Sequence, residues 1–379
     1  MILFVAYGGG HITIVSKLSK YFEERGVTTK ILPLTTAVPY CNSHDIEYLR
    51  LSEFATKDDF TPKVIKVVEE YVQKLLNDKI GIPYEHTLLY HLIGLQELIN
   101  RLGYAKALKE FYKHGRYSFE PIGFATSVIK QIRAEAVVTT NSPRMELAFQ
   151  KASEMLDIPS FAIDDLSGNP IKMMQSSVVF VDNDISRKNL KSNGYKGEII
   201  ISGNPIFEEA RNKFTKDKSK DKNRLLIILQ KGMNKLNHEK TELSEDFFLN
   251  FFDEILNNRF LRDFEKITVR FHPTMKPTIY WNSDKFEIDQ TADIQNSISK
   301  HDFVLGFSST ALYEAYLMGK KVYALSFGKD YFKLPLDYCG RIDRTGNLQI
   351  DGNYTVKESN ESLKSKEIIF QNIISKIRN

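Results

Sequence analysis

The sequence predicts an α/β protein built from two doubly wound parallel-sheet domains. Three observations predict it. The chain opens on a strand, a glycine-rich loop, a helix and a second strand. The same alternation returns after residue 224. The length of 379 residues suits two domains at roughly 100–200 residues each.

Each element follows from local pattern. MILFVAY is a short apolar run that stops at Gly8-Gly9-Gly10-His11. In ITIVSKLSKYFEERG, Ile12, Val15, Leu18 and Phe22 recur at three- and four-residue steps, which predicts an amphipathic helix stopped by Gly26. TKILPL is the second strand, so a βαβ unit and a parallel sheet begin at residue one. Residues from about 61 to 133 read as a helical insertion, clearest in VIKVVEEYVQKLL and LIGLQELINRL. Then AVVTT is a strand, SPRMELAFQKASEML a helix, IPSFAID and SSVVFVD strands, SRKNLKSNG a short helix, and GEIIISGNP a strand ending at Gly203-Asn204-Pro205. These elements make an N-terminal domain of residues 1–205. A charged linker is expected at 206–223, and a C-terminal domain at 224–379. The latter reads RLLIIL, helix LSEDFFLNFFDEILNN, strand KITVRF, KFEIDQ, helix ADIQNSISK, strand DFVLGF, helix SSTALYEAYLMG, strand KKVYALSF and a final helix. That last helix is a candidate to pack back on the N-terminal domain. No repeat of 20–50 residues and no low-complexity tract interrupts the series.

Composition narrows the function classes. With 42% hydrophobic and 26% charged residues the chain is neither disordered nor a coiled coil. No run approaches the roughly 18 apolar residues of a membrane span. The first residues lack the basic start and small-residue cleavage site of a signal peptide. Cys41 and Cys339 are too few for a disulfide scaffold. A cytoplasmic protein is the expectation. The net charge is +4, and the stretch from Lys213 to Arg224 carries six basic and two acidic residues, which equals the whole excess. The remainder is near neutral, which argues against a nucleic-acid-binding face. The basic stretch reads as a solvated linker or as a peripheral contact with the inner face of an anionic membrane.

Five segments carry candidate chemistry. Gly9 and Gly10 let backbone approach a ligand at a helix N-terminus. A dinucleotide fingerprint fits poorly there: Thr13 occupies the third glycine position, and TKILPLTT has no acid for a ribose. His11 reads as a general base or as a loop-bonding ring. In TTNSPR, Ser142 and Pro143 read as a helix cap and first helical residue, leaving Asn141 and Arg144 for a polar ligand. Asp164 and Asp165 leave a buried strand as adjacent acids, one of which could deprotonate a hydroxyl. In Arg270-Phe271-His272-Pro273, Pro273 stops the strand and presents His272 to a phosphate oxygen. Ser308, Ser309 and Thr310 place three hydroxyls at a helix start, a phosphate cradle, with Glu314 a turn further on for ribose hydroxyls.

Other signatures are absent. There is no GxxxxGK[ST] loop, HExxH helix, CxxC pair or GxSxG elbow. His86 and His91 are five apart, off one helical face. No metal or cofactor is demanded.

Taken together, the two halves, the GGGH loop, the GNP turn and the strand–SST–helix segment resemble the GT-B glycosyltransferases, whose domains are Rossmann-like and face one another across a cleft. Arg270–Pro273 and Ser308–Thr310 look like the HP and serine–serine/threonine motifs of bacterial sialyltransferases and Kdo-type capsule transferases, where they bind the phosphate of a CMP-sugar. Asp164-Asp165 is similar to their paired-acid motif, although Leu166 and Ser167 here precede Gly168. TTNSPR and ISGNP also look like segments of polysaccharide-biosynthesis proteins, the nucleotide-sugar 2-epimerase relatives among them, but no HRxEN-like segment is present. The resemblance is architectural over most of the chain and specific near 268–273 and 306–319.

It implies an inverting, metal-independent glycosyltransferase of surface-polysaccharide synthesis. The donor would be a nucleotide-sugar, CMP-linked rather than UDP-linked, and the acceptor a glycan or lipid-linked hydroxyl. His11, Asp164 or Asp165 would be the base. The alternatives are a UDP-sugar 2-epimerase or hydrolase, and a non-catalytic nucleotide-sugar-binding protein.

Overall fold

The computed structural model describes residues 1–75, 81–213, 223–229, 261, 264–271, 285–289, 291, 293–306, 309–325, 339–342, 348–350 and 364–378. The chain divides into two compact units, Met1–Ile206 with Leu363–Asn379, and Phe207–Ser362.

The first unit holds six parallel strands: β1 (Ile2–Ala6), β2 (Thr29–Pro33), β3 (Ala136–Thr139), β4 (Ser160–Ile163), β5 (Val178–Val181) and β6 (Glu198–Ile201), in the order β2-β1-β3-β4-β5-β6. Strands β1, β3, β4 and β5 are buried along their whole length, which is why they read as continuous apolar runs rather than alternating ones. Helix α1 (Gly10–Glu23) turns Ile12, Val15, Leu18 and Phe22 onto the sheet, and Phe22 meets Phe4 edge-on at 5.8 Å between ring centroids. Fully burying side chains of this size contributes roughly 1.5–3 kcal/mol each.

Helix α2 (Ala37–Ser43) follows β2. The predicted insertion is helical: α3 (Pro62–Leu75), α4 (Tyr84–Leu102), α5 (Tyr104–His114) and α6 (Ile122–Ile132). Val64, Val68 and Val72 of α3, Leu88, Leu92 and Leu95 of α4, and Phe111 of α5 share one core with Leu3, Val5 and Leu32 of the sheet. The insertion is therefore packed onto the unit rather than hung from it.

Helix α7 (Met145–Met155) starts later than the sequence suggests. Its N-cap is Arg144, not Ser142, and Pro143 stands before the helix. Ser142 is drawn away because its amide and hydroxyl are used by other partners, described below. Helix α8 (Asp184–Ser192) is capped by Asn183, which accepts from the Ser186 amide at 3.0 Å. The segment expected as a charged linker opens on helix α9 (Pro205–Asn212), and 214–222 lie outside the described residues.

The second unit holds β7 (Arg224–Ile228), β8 (Lys266–Arg270), β9 (Phe286–Ile288), β10 (Phe303–Gly306), β11 (Lys321–Leu325), β12 (Gly340–Ile342) and β13 (Leu348–Ile350), in the order β13-β12-β11-β10-β7-β8-β9. All pairings are parallel except β12 with β13. Helices α10 (Ile294–Ser299) and α11 (Thr310–Leu317) flank β10. The helix predicted at 243–258 lies outside the described residues.

The C-terminal helix α12 (Ser365–Arg378) belongs to the first unit. Its Phe370 packs edge-on against Phe22 at 4.8 Å, Glu367 accepts from the Tyr21 hydroxyl, and Lys376 pairs with Glu198 at 2.6 Å.

Candidate functional site

In each sheet the strand order reverses once. In the first unit the chain runs from β1 outward to β2, then returns to place β3 on the other side of β1. In the second it runs from β7 to β8 and β9, then returns to place β10 on the other side of β7. Ligands of open parallel sheets bind at such reversals, beyond the carboxyl ends of the strands.

At the first reversal the loop after β1 is tightly constrained. A Cβ on Gly8 would lie 2.1 Å from Thr36 Oγ1, and Gly9 takes φ +75°, so both positions require glycine. A Cβ on Gly10 would lie 3.6 Å from Asp165 Oδ2, which places the start of α1 beside that carboxylate.

His11 sits between two carboxylates. Its Nε2 is 3.5 Å from Asp165 Oδ2 and its Nδ1 is 3.4 Å from Glu146 Oε1. Burial disfavours the imidazolium. Asp165 and then Glu146 more than offset that cost and hold the His11 pKa up at about 9. The ring is thus a cation at neutral pH, and its Nδ1–H donates to Thr140 Oγ1, which in turn donates to Glu146 Oε2 at 2.6 Å. Ser142 Oγ lies 3.3 Å from the same ring nitrogen.

Glu146 is absent from the sequence-derived candidates, and it organises the site. It has no exposed surface. It accepts from the Tyr7 amide at the end of β1 (2.9 Å), the Thr140 amide at the end of β3 (2.9 Å) and the Ser142 amide (3.4 Å). One carboxylate thereby ties the two strands that flank the reversal. The available signal was an acid two residues after Arg144, in the first turn of a helix, where an acid also serves the helix dipole.

The paired acids divide their duties. Asp164 Oδ1 accepts from Asn141 Nδ2 at 3.0 Å and from the Leu166 amide at 3.3 Å, and its Oδ2 accepts from the Gly168 amide at 2.7 Å. Burial pushes its carboxyl up to about 6 against those bonds, with Asp165 adding to the rise. Asn204 of the GNP turn donates to the Asp164 carbonyl at 3.4 Å and accepts from the Ile206 amide at 3.0 Å. Asp164 therefore holds the loop. Asp165 does not: its Oδ1 is buried without a hydrogen-bond partner among the described residues.

Asn141 Oδ1 is likewise buried and unpartnered, as are Nε and Nη1 of Arg144. Arg144 takes φ +74°, and its guanidinium carbon stands 4.4 Å over the Tyr7 ring and 5.4 Å from the Tyr117 ring. The structure brings His11, Asn141, Ser142, Asp164 and Asp165 together through the bonds above, and Arg144 joins them through Tyr7.

At the second reversal Ser309 caps α11, its Oγ accepting from the Ala311 amide at 3.2 Å, and Thr310 opens the helix. Glu314 is buried and accepts from Gln295 Nε2 at 2.9 Å. Burial pushes its carboxyl up to about 7. Arg270 at the end of β8 donates through Nη1 to Asp289, to the Thr291 carbonyl at 2.6 Å and to Ser297 Oγ at 2.9 Å. His272, Pro273 and Ser308 lie outside the described residues.

Among the described residues no helix is long and apolar enough to cross a membrane. His86 and His91 are both buried in α4, where His86 Nε2 accepts from the Thr35 amide at 3.1 Å.

No family model and no curated protein sequence matches the chain. Solved structures do match over its whole length. UDP-GlcNAc 2-epimerase from Methanocaldococcus jannaschii, in complex with UDP-GlcNAc and UDP, is 14% identical, covering 99% of this chain and 100% of its own at a TM-score of 0.58. UDP-GlcNAc 2-epimerase from Neisseria meningitidis, bound to UDP-GlcNAc, is 12% identical, covering 99% and 100% at 0.58. MnaA from S. aureus with UDP is 11% identical, covering 100% and 96% at 0.58. At such identities the likeness is one of fold. The chain has the GT-B type of fold, two Rossmann-like α/β domains.

Proposed function

We propose that the protein is an enzyme acting on a UDP-linked sugar in the manner of a 2-epimerase or hydrolase, without an external acceptor. The observation that supports it is the His11–Asp165 pair, 3.5 Å apart at the reversal of the first sheet. Activating an acceptor hydroxyl asks for a base alone. Epimerising a carbon, or assisting a leaving oxygen, asks for an acid beside a base. The raised His11 pKa makes the ring the acid at neutral pH, so the base role falls to Asp165, with Asp164 holding its loop and Glu146 orienting the ring. The fold likeness to UDP-GlcNAc 2-epimerases agrees with this reading, whereas the expectation of a CMP-sugar donor finds no support there.

In the same reading Ser309, Thr310 and the first amides of α11, together with Ser308, His272 and Pro273, take the diphosphate. Glu314 takes the ribose. Gly9, Gly10, Asn141 and Ser142 face the sugar.

Glycosyl transfer from a CMP-sugar is the second reading, favoured by the SST segment and its HP partner. The two separate in one experiment. The protein is incubated in D2O with UDP-GlcNAc alone, and deuterium at C2 and free UDP are followed by NMR. A parallel sample holds CMP-sugar and a hydroxyl acceptor. Deuterium incorporation or UDP release, reduced at least about tenfold in Asp165→Asn, is the expected result. Transfer from CMP-sugar with an inert UDP-GlcNAc sample would overturn the epimerase reading.

A further inference from the structure

We propose that the first unit docks on an anionic phospholipid surface through the outward face of α5 and the turn that follows it. This docking is independent of the reaction proposed above.

The two faces of α5 differ sharply. Ala107 and Phe111 are buried and Leu108 packs against the same core, while Lys106, Lys109, Tyr112 and Lys113 are exposed. Steps of three and four residues bring the three lysines onto one face. Like charges so spaced repel and weaken a helix. Lys113, in the last turn, gains from the helix dipole. Lys106 stands in the first turn, where a cation opposes the dipole and no acid is present. Among the described residues the three ammonium groups pair with no carboxylate, and the one acid of the helix, Glu110, lies 3.6 Å from His114 Nε2. An ordinary solvated helix mixes its signs, as α3 does with Lys66, Glu69, Glu70 and Lys74. Arg101 at the end of α4 and Arg116 in the turn Gly115–Ser118 are exposed as well and extend the cationic surface at either end.

Charge alone would suit any polyanion, and two further observations favour lipid. Tyr112 is 60% exposed and Tyr117 70%. A ring with an apolar body and a polar tip suits the headgroup level of a bilayer. Arg101 and Lys106 also line a groove of about 400 Å³, together with Leu98 and Leu102. Cations and hydrocarbon therefore stand side by side, as a lipid phosphate and its glycerol carbons require. From Lys106 to Lys113 the face spans about 10 Å of helix. That is about one Debye length at ~0.1 M salt, so the three charges act on one patch of surface.

The test is flotation of the full chain with vesicles of phosphatidylcholine, alone or with about 30% phosphatidylglycerol, at ~0.1 M and ~0.5 M salt. The anionic vesicles are expected to bind the chain about a hundredfold more tightly at the lower salt, and the higher salt to remove most of that gain. Replacing Lys106, Lys109 and Lys113 together by Gln, all at exposed positions, should lower binding about a hundredfold, at roughly fivefold per charge. Replacing Lys216, Lys218 and Lys220 by Gln should leave it unchanged. Equal binding to both vesicles overturns the proposal, as does binding indifferent to salt, which stands as a test even if the α5 variant does not fold. Loss of binding in the 216–220 variant alone overturns it in favour of the charged stretch. An oligonucleotide that strips the protein from the vesicles at equal phosphate concentration overturns it in favour of nucleic acid. Turnover of UDP-GlcNAc in solution should not change in the α5 variant, so a failure of the epimerase reading is distinct from a failure of this one.

Discussion

The charge state of His11 is the property on which the proposed chemistry turns. Its rise from 6.5 to about 9 corresponds to about 3 kcal/mol of preference for the imidazolium in the folded state. Asp165 is the leading source of that rise, 3.5 Å from Nε2, with Glu146 second. Asp165→Asn keeps the shape and removes the charge, so His11 should fall by at least ~1 unit. Long-range proton–nitrogen spectra of the imidazoles across pH 5–10 read this directly. The sign of the linked stability follows. A histidine whose folded pKa lies above its unfolded value stabilises fully below about pH 6.5 and loses that contribution as pH rises through about 9. Denaturant unfolding of the first unit should therefore weaken over that window in the parent chain, and the slope should flatten in Asp165→Asn. A His11 that titrates near 6.5, or one indifferent to Asp165→Asn, would refute the assignment of His11 as the acid.

Three further outcomes follow from the geometry. Gly168→Ala places a Cβ 2.1 Å from the Ser186 carbonyl at a φ of +76°, so urea unfolding should show a loss of about 1–3 kcal/mol. His86 accepts from the Thr35 amide, and burial holds its pKa down at about 4. Its contribution is lost as pH falls from 6.5 through 4, and His86→Leu should cost about 1–3 kcal/mol at pH 7 and flatten that acid limb in a melting series. Glu314, pushed up to about 7, should make the second unit less stable as pH rises from 4.5 to 7. Glu314→Gln should abolish that slope and gain ~1–3 kcal/mol at pH 8 by calorimetry.

The fold was legible because its strands are buried on both faces. MILFVAY, AVVTT and IPSFAI carry unbroken apolar runs, and glycine or polar turns bound them. Helix starts were less legible. Ser142-Pro143 has the composition of a cap, but the Ser142 amide and hydroxyl go to Glu146 and His11, contacts some four residues and 131 residues away. Tertiary partners outbid the local pattern. The acids were visible as a pair, but not their division. Asp164 and Asp165 are adjacent acids in the sequence, and the amides of Leu166 and Gly168 with Asn141 single out Asp164 only in the fold. Glu146 was missed because its meaning lies in strand order. Before β1 and β3 are known to be neighbours, nothing connects it to the Tyr7 amide, 139 positions away.

That dependence on strand order also explains why the two units carry different residues at equivalent places. Around the reversal of the first sheet the side chains that converge are titratable: His11, Glu146, Asp164 and Asp165, with two carboxylates holding one imidazolium. Beside β10, at the reversal of the second, the described groups are a capping serine, a threonine and the amides of a helix N-terminus, of which those of Ala311 and Leu312 bond to Ser309. Such amides favour an anion without taking or giving a proton, whereas the first cluster can do both. In the proposed reading, proton transfer belongs to the first unit and restraint of the leaving diphosphate to the second. Ser309→Ala should then weaken UDP affinity, while Asp165→Asn leaves UDP bound and stops turnover. Calorimetric titration of UDP into both variants separates the two roles. A loss of UDP affinity in Asp165→Asn equal to that in Ser309→Ala would place the diphosphate beside His11 instead.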